Sequence, residues 1–210
     1  MAAAPVRDMQ QHGAGQPGTS LRTQLRAATM AAHDLLDTAM QAASGWQTSG
    51  DYARFLAMQH AARAPLEEWL AIHAPRDCRP PPQTPLIARD LAELNAPVPA
   101  PAPLFSLGRA APGHALGAAW VLAGSALGNR AIAKAVARIG GGQWPVAFLG
   151  DGAMMDFWQG LRARIERPAT PADAAEAAGA TRAAEAVFAH FLAVAEAGQN
   201  HECAAESALP

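Results

Sequence analysis

The stretch Leu25-Arg26-Ala27-Ala28-Thr29-Met30-Ala31-Ala32-His33-Asp34-Leu35-Leu36-Asp37 decides the reading of this chain. It is rich in strong helix formers and has no apolar–polar alternation of period two, so it is helical. Arg26 and His33, two turns apart, share a face, with Thr29 between them, and Asp37 follows His33 by one turn. A neutral imidazole ligates metals such as iron, and its other ring nitrogen usually donates to an acceptor that fixes the ring. Asp37 is placed to be that acceptor, and Arg26 to pair with an anionic edge of the same ligand. The pattern also fits an ordinary amphipathic helix, in which a lone His is a core or surface residue and an Asp at i+4 is a surface pair.

Helix signals continue outward from this segment. Thr19 or Ser20 caps the first helix, which runs to about Ala43 and is ended by Gly45. Asp51 starts a second over Tyr52–His73, in which Pro65 predicts a kink or break. Ten of the 17 prolines fall between Pro75 and Pro112, giving two stiff loops around a short helix at Leu86–Leu94. Further helices are expected over Pro112–Ile139, Gly152–Glu166 and Ala172–Ala197, the last with Thr170 as a cap and a frayed tail after Gly198. The expected organisation is a flexible tail over 1–19, one all-α domain over 20–198 and a flexible tail over 199–210.

Two later segments carry candidate chemistry. In Gly117-Ala118-Ala119-Trp120-Val121-Leu122-Ala123-Gly124-Ser125-Ala126-Leu127-Gly128-Asn129, glycines 124 and 128 leave a bare backbone strip on one face. Each interior glycine costs about 1 kcal/mol relative to Ala, so something must approach closely there. A second helix is the commoner occupant of such a strip, and a flat ligand is the other. In Met154-Met155-Asp156-Phe157-Trp158-Gln159-Gly160-Leu161-Arg162-Ala163-Arg164, the ordinary reading is a core face of Phe157 and Leu161 with solvated arginines.

Composition bounds the function. Half of the 210 residues are hydrophobic and 16% are charged, a globular composition. A net charge of -2 provides no basic field for nucleic acid or anionic lipid. The uncharged run Ala110–Asn129 is long enough to span a membrane, but Pro112, four glycines and three polar residues interrupt it, so a buried helix is expected. Cys78 and Cys203 form no CxxC pattern, and Met1–Thr19 lacks the apolar core of a signal peptide, which makes a reducing cytoplasm the expected location.

Taken together and in order, the Leu-Arg-x-Ala-Thr-x-x-x-His start, the Gly-Ser-x-Leu-Gly helix and the Phe-Trp-x-x-Leu-Arg helix resemble the heme oxygenases. The resemblance covers roughly residues 21–197 and is nearest in flavour to the bacterial, phytochrome-associated members. It implies a multi-helical bundle with heme sandwiched between the first helix and the glycine-containing helix. It places His33 as proximal iron ligand, Asp37 as the acidic partner of that imidazole, and Arg26 and Arg162 on the propionates, with Thr29 beside them. Gly124 and Gly128 become the distal wall over which the backbone lies close to heme. Ser125 falls where many animal-type members carry a catalytic aspartate, and it can hold a water but cannot be an anionic relay.

Ala119, Ala123, Asn129 and Trp158 depart from the residues common in the family. The implied activity is oxidative cleavage of heme by O2 to biliverdin, CO and ferrous iron. Electrons would come from a ferredoxin or flavin reductase, since no nucleotide-binding glycine motif is present, and a bacteriophytochrome is a candidate acceptor of biliverdin. The alternatives are a non-catalytic heme-binding or heme-carrying protein, a relative of the same broad fold acting on thiamin pyrimidines, and a scaffold without cofactor. A thiamin-pyrimidine hydrolase needs a nucleophilic cysteine, which neither Cys78 nor Cys203 suits.

Overall fold

The computed structural model describes residues 19–43, 47–100, 102–168 and 170–207. The expected tail over the first residues and the Gly45 stop lie outside them. Six helices follow in order: α1 (Leu21–Ala43), α2 (Ser49–His73), α3 (Thr84–Glu93), α4 (His114–Ile139), α5 (Gly152–Ile165) and α6 (Ala174–Ser207). No strand occurs among the described residues, and the all-α expectation holds.

The helix starts are fixed by short polar side chains. Thr48 and Asp51 close a reciprocal capping box at the head of α2, and the Asp151 carboxylate accepts from the Ala153 and Met154 amides at the head of α5. Thr170 and Asp173 make a second box, which closes a short 3-10 turn ahead of α6. That last helix runs past Gly198 to Ser207, beyond the stop expected at Ala197.

Pro65 does not break α2. A proline withholds the N–H that would satisfy the carbonyl four residues back. Here the Ala61 carbonyl accepts from the Ala102 amide at 3.3 Å, and the neighbouring Ala62 carbonyl accepts from His190 Nε2 at 2.9 Å. Donors from the Pro-rich loop and from α6 thus replace the missing bond, and Pro65 packs into the buried face of the helix. The core face of α5 also differs from expectation. Met154, Trp158, Leu161 and Ile165 form its buried stripe, while Phe157 is only half-buried.

α6 is the spine of the bundle. Both α1 and α4 pack along it far more than against each other. The two meet at one end, where Leu21 and Leu25 of α1, Trp120 and Val121 of α4, and Ala180 and Ala184 of α6 form one cluster. The α4–α6 crossing there is so close that a Cβ on Gly117 would sit 2.0 Å from the Ala180 carbonyl oxygen. A Cβ on Gly113 would sit 1.9 Å from that of Glu176. Gly179 makes the reciprocal approach to Pro112.

Further along α4 the same glycine stripe is uncovered. A Cβ on Gly124 would meet only the Trp158 ring, at an ordinary 3.7 Å, and one on Gly128 would meet nothing within 4 Å. Two substitutions separate these roles. Gly117→Ala must push two backbones apart and is expected to cost more than about 3 kcal/mol. Gly128→Ala is expected to be neutral, or to stabilise by up to about 1 kcal/mol through helix propensity. Urea unfolding of both variants checks this, and equal midpoints would contradict it.

Candidate functional site

The candidate residues lie on exposed stretches of α1 and α4, the two helices that pack along α6. On α1, Leu25 and Thr29 point into the packing against α6. His33 lies at the border of that buried line. Its ring sits edge-on to Phe188 of α6, with centroids 6.0 Å apart, yet its side chain remains 59% exposed. His33 Nδ1 lies 3.3 Å from the Asp37 carboxylate, the contact that fixes an imidazole and leaves Nε2 free to ligate. Asp34 stands farther off, at 4.0 Å.

Thr29 is 2% exposed, and its hydroxyl donates to the Leu25 carbonyl at 2.9 Å. That donor is committed to its own helix, so Thr29 supports the face by packing. Arg26 is exposed, one turn after Arg22.

Arg162 is brought to the same end of α1. Glu166 accepts from Arg162 Nε and from Arg22 Nη1, each at 2.7 Å, linking α5 to the start of α1. Arg164, half-buried, is engaged differently. It pairs with Asp77 and Glu176 and donates to Cys78 Sγ at 3.2 Å, tying the end of α5 to α6 and to the Pro-rich segment. Burial pushes the Cys78 thiol upward, away from the reactive thiolate.

On α4, Gly124 and Gly128 present bare backbone, and Trp158 from α5 lies beneath Gly124. No helix of the described residues crowds this part of the strip, unlike the Gly113–Gly117 part. Met30, three residues before His33, and Leu127, three after Gly124, are large apolar side chains about half exposed on these two helices. Ser125 donates to the Leu122 carbonyl at 2.7 Å and accepts from Arg63 Nη2 at 2.8 Å. Two small cavities, of about 220 and 200 Å³, lie elsewhere. One is lined by Trp69, Cys78 and His114, the other by Leu21, Arg167 and Thr170.

Arg63 is the residue that sequence reasoning missed. It sits mid-α2 at 2% exposure, with Nε on Gln59 Oε1 at 3.0 Å and its guanidinium 5.0 Å from the Phe148 ring centroid. Burial draws its pKa down to about 10, so it remains a cation at neutral pH. The available signal was its register: Phe55, Gln59, Arg63 and Leu66 follow one helical stripe that is otherwise core.

Three other histidines are not arranged as ligands. His190 is committed to the Ala62 carbonyl, and His60 and His114 each bury an Nδ1 without a partner. Among the described residues no three His, Cys, Asp or Glu side chains cluster to hold a metal ion. No helix there is long and apolar enough to cross a membrane.

Burial lowers the pKa of His190 and His114 below the ordinary 6.5. A depressed folded-state pKa means that these rings take up protons on unfolding. Their stabilising contribution is present above about pH 6.5 and is lost as the pH falls below it. Stability should therefore drop between pH 7 and 5, by up to about 1.4 kcal/mol per pH unit for each such ring. His190→Gln should flatten this profile. A pH-independent unfolding free energy over that range would contradict the assignment.

The chain matches no protein-family profile and no curated protein sequence. Among solved structures it is similar to the NO- and CO-bound heme oxygenase from Neisseria meningitidis. The TM-score is 0.66 at 18% identity, over 85% of this chain and 92% of that one. The chain thus has the all-helical heme oxygenase fold.

Proposed function

We propose that this protein is a heme oxygenase, cleaving heme with O2 and external electrons to biliverdin, CO and ferrous iron. The observation that carries the reading is the glycine stripe of α4. It is covered by α6 at Gly113 and Gly117 and left bare at Gly124 and Gly128. A helix interior whose glycines meet no other backbone, with only the Trp158 ring against Gly124, suits a flat ligand laid on that strip. The imidazole that could hold such a ligand stands on α1, anchored through Nδ1 by Asp37 with Nε2 free. An imidazole with an open Nε2 and a bare backbone strip are the two kinds of wall that a heme would need, which supports this reading.

In this reading His33 holds the iron through Nε2 and Asp37 keeps the tautomer. Met30 and Leu127 cover apolar porphyrin surface. Arg26 and Arg162 grip the propionates, Arg162 exchanging its Glu166 contact for them. Thr29 supports the α1 face from within. Gly124 and Gly128 would leave the backbone wall over the ligand unobstructed, and Ser125 would steady that wall. Bound heme supplies the O2 chemistry, and the protein's share is orientation, access and polarity. We take residues 20–198 as the heme-binding unit, a cytoplasmic ferredoxin or flavin reductase as electron source, and a bacteriophytochrome as candidate biliverdin acceptor.

A charge-assisted hydrogen bond to a carboxylate contributes about 1.5–3 kcal/mol. Arg26→Glu and Arg162→Glu are each expected to weaken heme affinity roughly tenfold or more. Hemin titration followed at the Soret band measures this, and wild-type affinity in both variants would remove them from the site. The reading as a whole is tested by loading the protein with hemin and supplying reductant. Biliverdin and CO are the expected products. Stable heme without them would leave a heme carrier.

A further inference from the structure

Arg63 is a buried cation in no direct ion pair, with the Glu67 carboxylate one turn on as the charge that favours it from a distance. No carboxylate of the described residues lies at ion-pair distance from it. Its nearest acidic neighbour along α2 is Glu67, one turn on. The oxygens of Glu67 already accept from the Gln83 and Thr84 amides and the Thr84 hydroxyl. Gln59 and Ser125 are neutral partners, Phe148 and Phe191 offer only their ring faces, and Nη1 is buried with no partner at all. Burying an unpaired charge is costly, and a hydrophobic side chain of similar size would fill the space without that cost. The charge itself is therefore what this position supplies. Its Nη2 ends on Ser125, which stands beside the Gly124–Gly128 strip on α4, next to Gly124 in the chain and one turn before Gly128.

We infer that Arg63 acts through Ser125 as the fixed positive charge of the Gly124–Gly128 face, biasing that face toward small anions over neutral ligands of similar size. The heme arm of this inference rests on the proposed heme site, whereas the charge arm does not. Arg63 is a positioning residue whose field in a poorly screened interior acts over several ångströms. A filling role would predict equal effects on charged and neutral ligands.

The first test uses the ferric heme-loaded protein at pH 7.5, titrated with fluoride and azide as anions and with imidazole as the largely neutral ligand. Arg63→Met is expected to weaken fluoride and azide binding tenfold or more and to change imidazole binding less than twofold. Arg63→Lys should retain most of the anion affinity, and Ser125→Ala should fall between. Parallel changes for all three ligands, or none, would overturn the inference while leaving the heme reading intact.

The second test needs no heme. Thermal unfolding of the apoprotein is compared in sodium azide or fluoride and in sodium gluconate at equal ionic strength. The small anions should raise the wild-type midpoint, should raise that of Arg63→Lys by most of the same shift, and should leave that of Arg63→Met unmoved. A wild-type midpoint indifferent to anion identity counts against the inference even if heme never binds. Should Arg63→Met fail to fold, Ser125→Ala and Arg63→Lys carry both comparisons.

Discussion

Gly128→Leu is expected to leave heme bound and to abolish its conversion. A Cβ at Gly128 would meet no atom of the described residues within 4 Å and the position is exposed, so the apoprotein is expected to accept the side chain. In the proposed site the same bulk stands where O2 must bind and bend. Near-complete loss is expected, on the order of a hundredfold or more, or about 2.7 kcal/mol of barrier at 1.36 kcal/mol per decade. The Soret band of the ferric complex should persist. Gly128→Ala, smaller and equally unopposed, should lose less. Single-turnover rates with ascorbate, read at the biliverdin band, measure both. Full activity in Gly128→Leu would place O2 away from this strip.

The second large effect is at His33. His33→Ala is expected to abolish the spectrum of a histidine-ligated ferric heme, and added imidazole is expected to restore much of it. The expectation rests on the exposed ring and the Nδ1 contact to Asp37, which together leave one nitrogen in the open. Asp37→Ala should keep ligation but loosen the ring, an effect of roughly 10–100-fold in affinity or activity for such second partners. An unchanged spectrum in His33→Ala would transfer the ligand role. His190, His60 and His114 are poor replacements, since the first is spent on Ala62 and the other two are pressed into the packing.

The helices were legible because their signals are local. Ala-rich periodic stretches, Asp51 at the head of α2, and Gly140 after Ile139 are read along the chain. What was not legible depends on partners distant in sequence. Pro65 reads as a breaker, and only Ala102 and His190 show why the helix survives it. The glycines of α4 look alike in sequence, yet Gly117 touches α6 and Gly128 touches nothing, a division set by how α6 crosses α4.

Within the candidate site, the His33–Asp37 pair was readable because i and i+4 meet on any helix. Thr29 looked like a third member of that face, but a shift of one step around the helix turns it into the core, where its hydroxyl serves Leu25. Arg63 was overlooked because an arginine in a helix is ordinarily solvated. Its burial follows from Gln59 one turn earlier on its own helix and from Ser125, Phe148 and Phe191, which come from three segments distant in sequence.

The most direct measurement is a single turnover of the hemin-loaded wild-type protein with ascorbate or a ferredoxin system in air, with CO trapped by myoglobin. The account predicts decay of the Soret band with about one equivalent each of biliverdin and CO per heme, given a chemistry in which heme is the substrate. A Soret band that persists, or that bleaches without biliverdin and CO, would contradict it.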